Sequence, residues 1–496
     1  MELQLNKRSV SYLNPVITEC RNLEQTQELR LPDGMPDVER ILGCWGQSVL
    51  RSKEWRSDTV SVTGGLMLWV LYRPEEGGEL RTLDAWVPYQ TRWDLPQQTQ
   101  EGKLLVQSTI RFLDARSVSP RKILIRAGLS LCLLALAPEE AAIPIPENLP
   151  EDVHLLRRQL PLRLYTEAGE KSFALEDTLS SAGEDLADWS PLYYTAQANL
   201  TDQKVVGDKI AFRGAVTLHV LLQGPEGRAE GRNFTFPFSQ LAELERSYGS
   251  DGEAELQLCV TNLEVEKDAE GVLHLKAAFT AQYAVSDVTM VSTVEDGYST
   301  QRELKITREE LALSPIRERR WETMSGEAAL PEQVHSEADL SAFSDFPTWD
   351  RQTDGYCLDA QGAAQLLSYD DKGLTGTQLR WSGHRDWKTE EPLRMAMTAF
   401  VPGEPQLNPG AGKLCIDTRF RLTCFAEDGI PVISAMELGE TVQKDPARPS
   451  LILRRAGEGG LWELAKRTGS TMEAIRQANG LEGEPEKGRM LLIPVL

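Results

Sequence analysis

A pattern of alternating apolar residues recurs 150 residues apart, and it constrains the fold of this chain more than any other feature. Thr59–Tyr72 and Lys209–Leu222 carry apolar side chains at nearly every even-numbered position, and Gly64 and Gly214 interrupt the two patterns at the same place. A period of two is typical of a β-strand, and a glycine within a strand indicates a bulge or a close backbone approach. We therefore predict that one β structure occurs at least twice.

The spacing of the elements that follow agrees with this prediction. In each copy a short strand ends at a proline, Pro88 or Pro237, which stands 24 or 23 residues after the glycine. Further strands begin at Gly102 and Gly252, both 38 residues after the glycine, and the last strands begin 20 and 19 residues later. Offsets that agree over four elements indicate two copies of one β domain.

A third, more divergent copy follows. Tyr356–Tyr369 takes the place of the first strand, 147 residues after its counterpart in the second copy, and further strands begin at Glu391 and Gly412. The 21 residues between these two starts match the 20 and 19 of the earlier copies. The strand that ends in a proline is not recognisable in this copy.

Proline and acidic residues concentrate at 138–152 and 444–449, which predicts linkers at both places. The boundary between the second and third copies is inferred near residue 300. The predicted fold class is mainly β, with three tandem β-rich repeats followed by a small βααβ domain. The predicted domains span residues 1–145, 150–300, 302–443 and 448–496.

After Pro449 the pattern changes to a strand, two helices and a strand. Gly469 follows the first helix as a C′ glycine should, and Asn479 and Gly480 end the second. The second helix opens with Ser-x-x-Glu, a capping box in which Ser470 would be the N-cap. The predicted elements are Leu451–Arg454, Leu461–Arg467, Ser470–Asn479 and Met490–Ile493.

The charge of the chain disfavours two classes of partner. It has 75 acidic and 53 basic residues, a net charge of -22, which disfavours nucleic acid and anionic membranes. Residues 451–496 alone hold seven basic and six acidic residues, so a near-neutral module ends an acidic body and is suited to docking a distinct partner. The alternative is that the module is simply an average small domain.

The chain is expected to be cytosolic as made. The most apolar stretch, Gly128–Ala137, has ten residues, about half of the roughly 20 that cross a bilayer, so no transmembrane segment is predicted. The first residues lack a basic start followed by an apolar run, as a signal peptide would have. Seven scattered cysteines without a Cys-x-x-Cys pair predict reduced thiols rather than disulfides or a zinc site.

No arrangement of residues predicts catalysis, a metal or a cofactor. Cys44 is the best candidate for a reactive thiol, but without a paired histidine an interior cysteine is favoured. Trp69 and Trp86 lie within strands and are expected to be packed, and Trp462 is expected in the core of the C-terminal module. The histidines form no metal-binding or catalytic pattern; they are His154, His219, His274, His335 and His384.

The repeats resemble the SPOCS domain, a β-rich module of spore-coat and related proteins of endospore-forming bacteria. The resemblance rests on the Gly64 and Gly214 strands, on FPFSQL at Phe236–Leu241 and on PDVERIL at Pro36–Leu42, and it covers most of residues 10–440. FPFSQL contains the most specific fragment, PFSQ; the first copy has Pro-Tyr-Gln in its place.

The C-terminal module resembles a LysM domain, a family that binds N-acetylglucosamine chains. The segment LWELAKRTGSTMEAIRQANGL, Leu461–Leu481, is close to the family pattern. The family usually has Gly-Asp-Ser/Thr before the first helix, whereas this chain has Glu458 and two glycines, which puts glycan binding in doubt. The resemblance implies that a partner or glycan would bind along the groove flanked by Gly459, Gly460, Leu461, Asn479, Gly480 and Leu481.

Three SPOCS-like repeats with one LysM module resemble the clostridial spore-coat morphogenetic proteins that interact with stage IV sporulation protein A. The resemblance implies a non-enzymatic structural adaptor of the mother-cell cytoplasm, acting at the forespore surface and in the spore coat. Its partner would be a coat protein of that type, and the repeats could also self-associate. The alternative is a protein that binds peptidoglycan in the spore cortex or cell wall. The sequence leaves open which repeat contacts which partner, and the oligomeric state.

Overall fold

A computed structural model describes residues 1–99, 101–180, 186–331, 336–371, 373–389, 392–442 and 449–495. The protein is mainly β, as predicted: 76% of the described residues lie in strands, and the described part of the chain has two α-helices, both near the C-terminus. Antiparallel pairing connects nearly all of the strands, and this suits a chain whose apolar residues alternate with polar ones.

The first segment of the chain forms two facing sheets. Its strands are β1 Leu5–Arg30, β2 Val38–Arg56, β3 Thr59–Pro74, β4 Arg81–Asp94, β5 Lys103–Ser119 and β6 Lys122–Pro146. β2, β3 and β4 make a three-stranded sheet, while β1 and β5 pair with the two edges of β6. Apolar side chains of β3, among them Leu66 and Leu68, share one core with Leu129 and Leu131 of β6.

The second segment has a corresponding strand order. Its strands are β7 Val153–Thr178, β8 Ser190–Gln223, β9 Ala229–Tyr248, β10 Glu253–Lys267 and β11 Leu273–Ser299. β7 and β10 pair with β11 as β1 and β5 pair with β6. The long β8 doubles back near Gly207, which has a positive φ of 62°, so that the Thr201 hydroxyl donates to the Arg213 carbonyl. Leu13 pairs with Tyr165, and this joins the two segments in a six-stranded sheet of order β10-β11-β7-β1-β6-β5.

The third segment has a related arrangement with shorter strands. They are β12 Arg302–Leu311, β13 Ile316–Ala329, β14 Ser336–Ser344, β15 Thr348–Gln352, β16 Gly355–Asp370, β17 Gly373–Lys388, β18 Leu393–Val401, β19 Gln406–Asn408, β20 Lys413–Ala426 and β21 Ile430–Thr441. β12 and β13 pair with β21 and β20, as the single strand β1 pairs with β6. β17 pairs with β16 from Gly373 onward, so the strand that the sequence did not reveal in this segment is present without a terminal proline.

Three glycines, Gly64, Gly214 and Gly362, occupy the same environment in the three segments. At each one, a Cβ atom would overlap a carbonyl oxygen from an earlier part of the chain and an aromatic ring of the following strand. The oxygens belong to Val49, Asn199 and Phe343, and the rings to Tyr89, Phe238 and Trp381. Close backbone approach, one of the two interpretations that the sequence offered, therefore holds at all three glycines. The other, a bulge, also holds at Gly64, where the register of β2 shifts between Leu50 and Ser52.

A β-bulge also recurs at the same place in the three segments. The register of pairing shifts by one residue at Arg111 in β5, at Thr261 in β10 and at Thr398 in β18. In the first two segments the bulge also stands at the same distance from the shared glycine. Ile110 and Val260 are the last residues paired before the register shifts, and each lies 46 positions after its glycine. A bulge bends its strand and redirects the extra side chain, so the three strands bend at equivalent points.

The predicted linker at 138–152 is wrong over most of its length. β6 continues to Pro146 and pairs with β1 as far as Leu5, so only residues 147–152 lie between strands. The prolines of β6 are accommodated near the end of this long two-stranded pairing, where fewer neighbours need an N–H donor. The second predicted linker, 444–449, falls almost wholly outside the described residues.

The C-terminal region consists of β22 Leu451–Arg455, α1 Gly460–Thr468, α2 Met472–Asn479 and β23 Met490–Pro494. Gly469 and Gly480 both adopt left-handed conformations after the helices, as predicted, with φ of 62° and 60°. The prediction of Ser470 as N-cap of α2 is wrong. Thr471 is the N-cap, because its hydroxyl accepts a hydrogen bond from the Ala474 amide at 3.0 Å.

Cys20 and Cys132 face each other across β1 and β6 and form a disulfide, with their Cα atoms 4.0 Å apart. The expectation of reduced thiols is therefore wrong for this pair. The pairing register that places the two residues directly opposite is a long-range property, because 112 positions separate them in sequence. Cys44, Cys259, Cys357, Cys415 and Cys424 are free.

Candidate functional site

The six residues predicted to flank a groove lie together in the C-terminal module, but most of them hold the module together. Leu461 is fully buried in its apolar core, and Leu481 packs against the same core. Gly459 is the N-cap of α1, and Gly480 is the left-handed residue that ends α2. Gly460 also adopts a left-handed conformation, with a φ of 60°.

The Glu484 carboxylate occupies the position where the two loops of the module meet. It accepts a hydrogen bond from the Leu461 amide at 2.9 Å and lies against Gly460. The N-terminus of α1 leaves amide donors unsatisfied and carries partial positive charge, so a carboxylate is stabilising there. The LysM pattern has an aspartate just before the first helix, and this chain lacks it. Glu484, in the loop after α2, supplies a carboxylate to the N-terminus of α1 instead. No spacing rule in the sequence pointed to Glu484.

Asn479 connects the end of α2 to the last strand. Its side-chain amide donates to the carbonyls of Ile475 and Leu492 at 2.8 and 2.6 Å, and its side-chain oxygen accepts from the Leu492 amide at 2.8 Å. The whole hydrogen-bonding capacity of this side chain is close to being used within the module. Asn479 therefore has a structural role in this conformation.

The module docks on the end of β11 through an aromatic and charged contact. Tyr298 and Trp462 pack edge to face with ring centroids 4.9 Å apart, and the Tyr298 hydroxyl donates to the Ser470 carbonyl at 2.9 Å. Asp296 accepts from the Trp462 indole N–H at 2.9 Å and from the Lys466 ammonium at 2.7 Å. Trp462 thus lies at the edge of the module core and contacts the second segment as well.

The opposite face of the module exposes apolar side chains. β22 pairs with β23 so that Leu451, Leu453 and Met490 lie on the sheet face turned away from the helices, while Leu491 and Ile493 are buried beneath the helices. Leu453 is 58% exposed, and Leu451 and Met490 are each nearly half exposed. Three large apolar side chains on one small sheet face form a patch of the kind that contacts partners. We call Leu451, Leu453 and Met490 the hairpin patch.

A second candidate site is a cavity of about 710 Å³ where the three segments of the β body meet. Its size is within the range of roughly 300 to 1,000 Å³ that is usual for small-molecule sites. Gln107 and Ser344 each have a buried side-chain oxygen that bonds to no other group in the part of the chain that the structure describes. The wall combines residues from all three segments, among them Trp45, Gln107, His219, Cys259, Asp339 and Phe400.

His219 and Asp339 form an ionisable pair at the wall of this cavity. His219 Nε2 is 2.8 Å from an Asp339 carboxylate oxygen, and its Nδ1 is 2.6 Å from the Asn233 side-chain oxygen. Burial alone would lower the pKa of His219, but the Asp339 charge and these hydrogen bonds outweigh burial and raise that pKa. Tyr193 also donates to Asp339, and burial first and this carboxylate second raise the Tyr193 pKa well above its usual value.

Buried polar groups bond the three segments to one another. Glu255 of β10 is fully buried and bonds to Arg319 of β13 and to the Thr423 hydroxyl of β20. Burial would raise the pKa of Glu255, but the charges of Arg319 and Arg421 lower it below its ordinary value. These bonds join residues far apart in sequence, and no local pattern predicts them.

Two further bonds join the first segment to the others. Lys53 Nζ of β2 bonds to Gln282 of β11 at 2.6 Å, and the bulge residue Arg111 bonds to Asp345 at 2.6 Å. The bulge of β5 therefore directs a charged side chain into a contact between the first and third segments.

The remaining predicted residues divide between core and surface. Cys44 is buried, and burial raises the pKa of its thiol, which agrees with the predicted interior position. Trp69 is packed as predicted, but the same prediction for Trp86 is wrong, because Trp86 is 39% exposed and lies under the Arg51 guanidinium. His335 lies outside the described residues.

No match was found when the chain was compared with protein-family models, with curated proteins and with solved structures. None of the helices in the described part of the chain is long and apolar enough to span a membrane.

Proposed function

We propose that this chain is a non-enzymatic adaptor of spore-coat assembly, built from three SPOCS-like repeats and a LysM-like module. The corresponding strand orders, the shared environment of Gly64, Gly214 and Gly362, and the bulge that recurs in all three segments support the three-repeat interpretation. On this proposal it acts in the mother cell, at the surface of the forespore, and binds a coat morphogenetic protein of the stage IV sporulation protein A type.

The observation that carries the proposal is the contrast between the two faces of the module. The predicted groove is filled from within, because the Glu484 carboxylate bonds to the Leu461 amide and Asn479 bonds to β23. The hairpin patch is open to solvent and apolar. A sugar chain would need polar donors and acceptors in the groove, whereas a protein partner can cover an apolar patch.

The residues around the hairpin patch favour an acidic rim on that partner. Arg455 is exposed and lies on the same face, directly opposite Met490, and the rest of the chain is strongly acidic. Charges at the rim of an apolar interface mainly direct association and exclude wrong partners. We therefore propose a protein partner with an apolar centre and carboxylates around it.

Binding of peptidoglycan is the alternative function. It would require Glu484 to leave the Leu461 amide, or a sugar to bind over it, and the apolar hairpin patch would then have no role.

The test uses the full chain and changes one residue of the hairpin patch. Leu453→Glu places a charge at the centre of the patch, and Val118→Glu on β5 is its matched control, because the two side chains are 58% and 59% exposed. Binding of each variant to a purified coat protein of the stage IV sporulation protein A type is measured by biolayer interferometry, and retention on purified peptidoglycan is measured in parallel.

We expect Leu453→Glu to weaken binding of the coat protein on the order of 10- to 100-fold, as for a central interface residue, while the control binds normally. Equal binding by both variants would refute the role of the hairpin patch. Saturable retention on peptidoglycan without binding of the coat protein would replace the adaptor function by the alternative.

A further inference from the structure

Four side chains that can bind metal lie together on the outer face of the hairpin formed by β16 and β17. The register places Asp359 directly opposite His384, and Cys357 directly opposite Asp386. Directly opposite residues of an antiparallel pair have side chains on the same face, and so do residues two apart on one strand. The hairpin therefore brings a thiol, an imidazole and two carboxylates to one place, although 27 residues separate Cys357 from His384.

The potential ligand atoms of Cys357, Asp359 and His384 lie close enough together to surround a small ion. Cys357 Sγ is 3.3 Å from Asp359 Oδ2 and 3.5 Å from His384 Nδ1, and that nitrogen is 2.9 Å from Asp359 Oδ1. Tetrahedral zinc with bonds of about 2.0 to 2.3 Å has ligand atoms roughly 3.3 to 3.6 Å apart. The two contacts of Asp359 are made by different carboxylate oxygens. With one ligand atom taken from each residue, the three atoms lie within 4.8 Å of one another, so a rotation of the Asp359 carboxylate is needed to bring one oxygen close to both the sulfur and the ring nitrogen.

Asp386 supplies the outer contact that metal-bound histidines usually have. Its Oδ1 is 3.4 Å from His384 Nε2, the ring nitrogen that points away from Asp359. A carboxylate in this position fixes the orientation of the ring and increases the basicity of the nitrogen that binds the metal.

The charge around the cluster also favours a cation. Asp350 of β15 lies opposite Cys357 on its other side, so three carboxylates surround one thiol. Across the described ranges, the ion pairs of Asp359 and Asp386 are made with His384 and with no lysine or arginine. Asp359, His384 and Asp386 are each at least half exposed at the side chain, so an ion can reach them from solvent.

We propose that Cys357, Asp359 and His384 bind a divalent transition-metal ion of the zinc type, with Asp386 as the outer partner of His384. One sulfur, one nitrogen and one oxygen ligand favour zinc or cobalt over magnesium or calcium, which prefer oxygen alone. Three protein ligands leave a fourth position to water. The ion would link β16 to β17 by side chains in addition to their backbone hydrogen bonds. This site is independent of the adaptor function proposed above.

The test is a titration of the reduced full chain with Co²⁺, followed by competition with Zn²⁺. A thiolate ligand gives an intense sulfur-to-cobalt absorption, and a tetrahedral site gives visible bands, so the spectrum reports on the ligands directly. The variants are Cys357→Ser, His384→Gln and Asp386→Asn. Matched controls are Cys415→Ser, another free cysteine, and His274→Gln, an exposed histidine paired with Asp268 but with no thiol beside it.

We expect one Co²⁺ per chain with the sulfur band, loss of that band in Cys357→Ser, and displacement by Zn²⁺. Asp386→Asn should keep the band but weaken binding about 10- to 100-fold, the usual effect of losing an outer partner. The controls should bind as the natural chain does. A Co²⁺ spectrum without the sulfur band, or equal binding by Cys357→Ser, would overturn the proposal, as would no binding at all. Circular dichroism of each variant verifies its fold, and a metal-dependent rise in Tm of the natural chain is a second, independent readout.

Discussion

Tyr298 at the end of β11 and Trp462 in α1 pack edge to face, with ring centroids 4.9 Å apart. This contact, together with the bonds from Trp462 and Lys466 to Asp296, fixes the C-terminal module on the second segment. The hairpin patch is thereby held in one orientation relative to the β body, which limits the directions from which a partner can approach.

Asp296→Ala should release the module from β11. The change leaves the Trp462 N–H and the Lys466 ammonium without their acceptor, and hydrogen bonds to charged groups contribute about 1.5 to 3 kcal/mol. We expect faster amide hydrogen exchange in α1 and a shift of the tryptophan emission. Glu295→Ala, at the exposed neighbouring position, is the control. If both variants exchange like the natural chain, the docking contact is not what orients the module.

Glu255→Gln should strongly destabilise the β body. It removes a buried charge while Arg319 and Arg421 remain beside it, and breaking one side of a buried ion pair costs about 3 to 5 kcal/mol. The control is Glu253→Gln, because Glu253 pairs with the same Arg319 but is 53% exposed, where an ion pair contributes about 1 kcal/mol or less. Urea unfolding of both variants measures the difference, and equal losses would show that Glu255 is not the central partner.

Gly214→Ala should destabilise the second segment by about 1 to 3 kcal/mol, the usual effect of forcing an extra methyl into a filled space. The new methyl would meet the Asn199 carbonyl, which β8 holds in place. Gly249→Ala is the control, because no other group lies within 4 Å of a methyl at that position. The measurement is the free energy of unfolding of both variants. If Gly214→Ala is as stable as the natural chain, the strands can move apart to accept the methyl group, and the prediction is wrong.

His219 should make stability depend on pH above about 6.5, the ordinary pKa of histidine. Because Asp339 raises the folded-state pKa of His219, its charged form stabilises the fold fully below pH 6.5, and this contribution is lost as the pH rises through the raised pKa. His219→Gln should therefore cost more stability at pH 6 than at pH 9.

His154 provides the contrast for that experiment. Burial lowers its pKa, so the natural chain loses stability as the pH falls below about 6.5, and the difference between His154→Gln and the natural chain should change with pH in the opposite sense. Urea unfolding of both variants and of the natural chain at pH 6 and pH 9 measures whether the stability lost on each substitution falls or rises with pH. The same sign for both variants would contradict the assignment of Asp339 as the partner of His219.

The sequence predicted the fold best where one strand carries its own signal. The alternation in Thr59–Tyr72 marked β3 to within two residues of its end, and Gly469 marked the end of α1. It failed where a strand lacks such a signal: β17 has no terminal proline and few regularly spaced apolar residues, so only its pairing with β16 identifies it. The linker prediction failed because prolines that break most strands are tolerated where β6 has few neighbours.

The candidate sites were less predictable because they depend on register and on contacts between segments. Glu484 reaches the N-terminus of α1 from 23 residues away, and only the folded module shows which carboxylate takes that position. Cys357 and His384 meet because β16 and β17 pair in one register; a slip of one residue would put them on opposite faces. No local pattern determines that register.

The hydrogen bond between Leu3 and Met436 limits how early the chain can complete its fold during synthesis. The Leu3 amide donates to the Met436 carbonyl at 2.8 Å, so a residue at the start of the first segment is held by a strand at the end of the third. This bond cannot form on the ribosome until nearly nine-tenths of the chain has been translated. A topology so dominated by contacts between distant residues is expected to fold slowly, with strand edges exposed in the meantime. During synthesis, the early strands would therefore depend on chaperones, or on rapid completion of the chain, to avoid pairing with those of a neighbouring nascent copy.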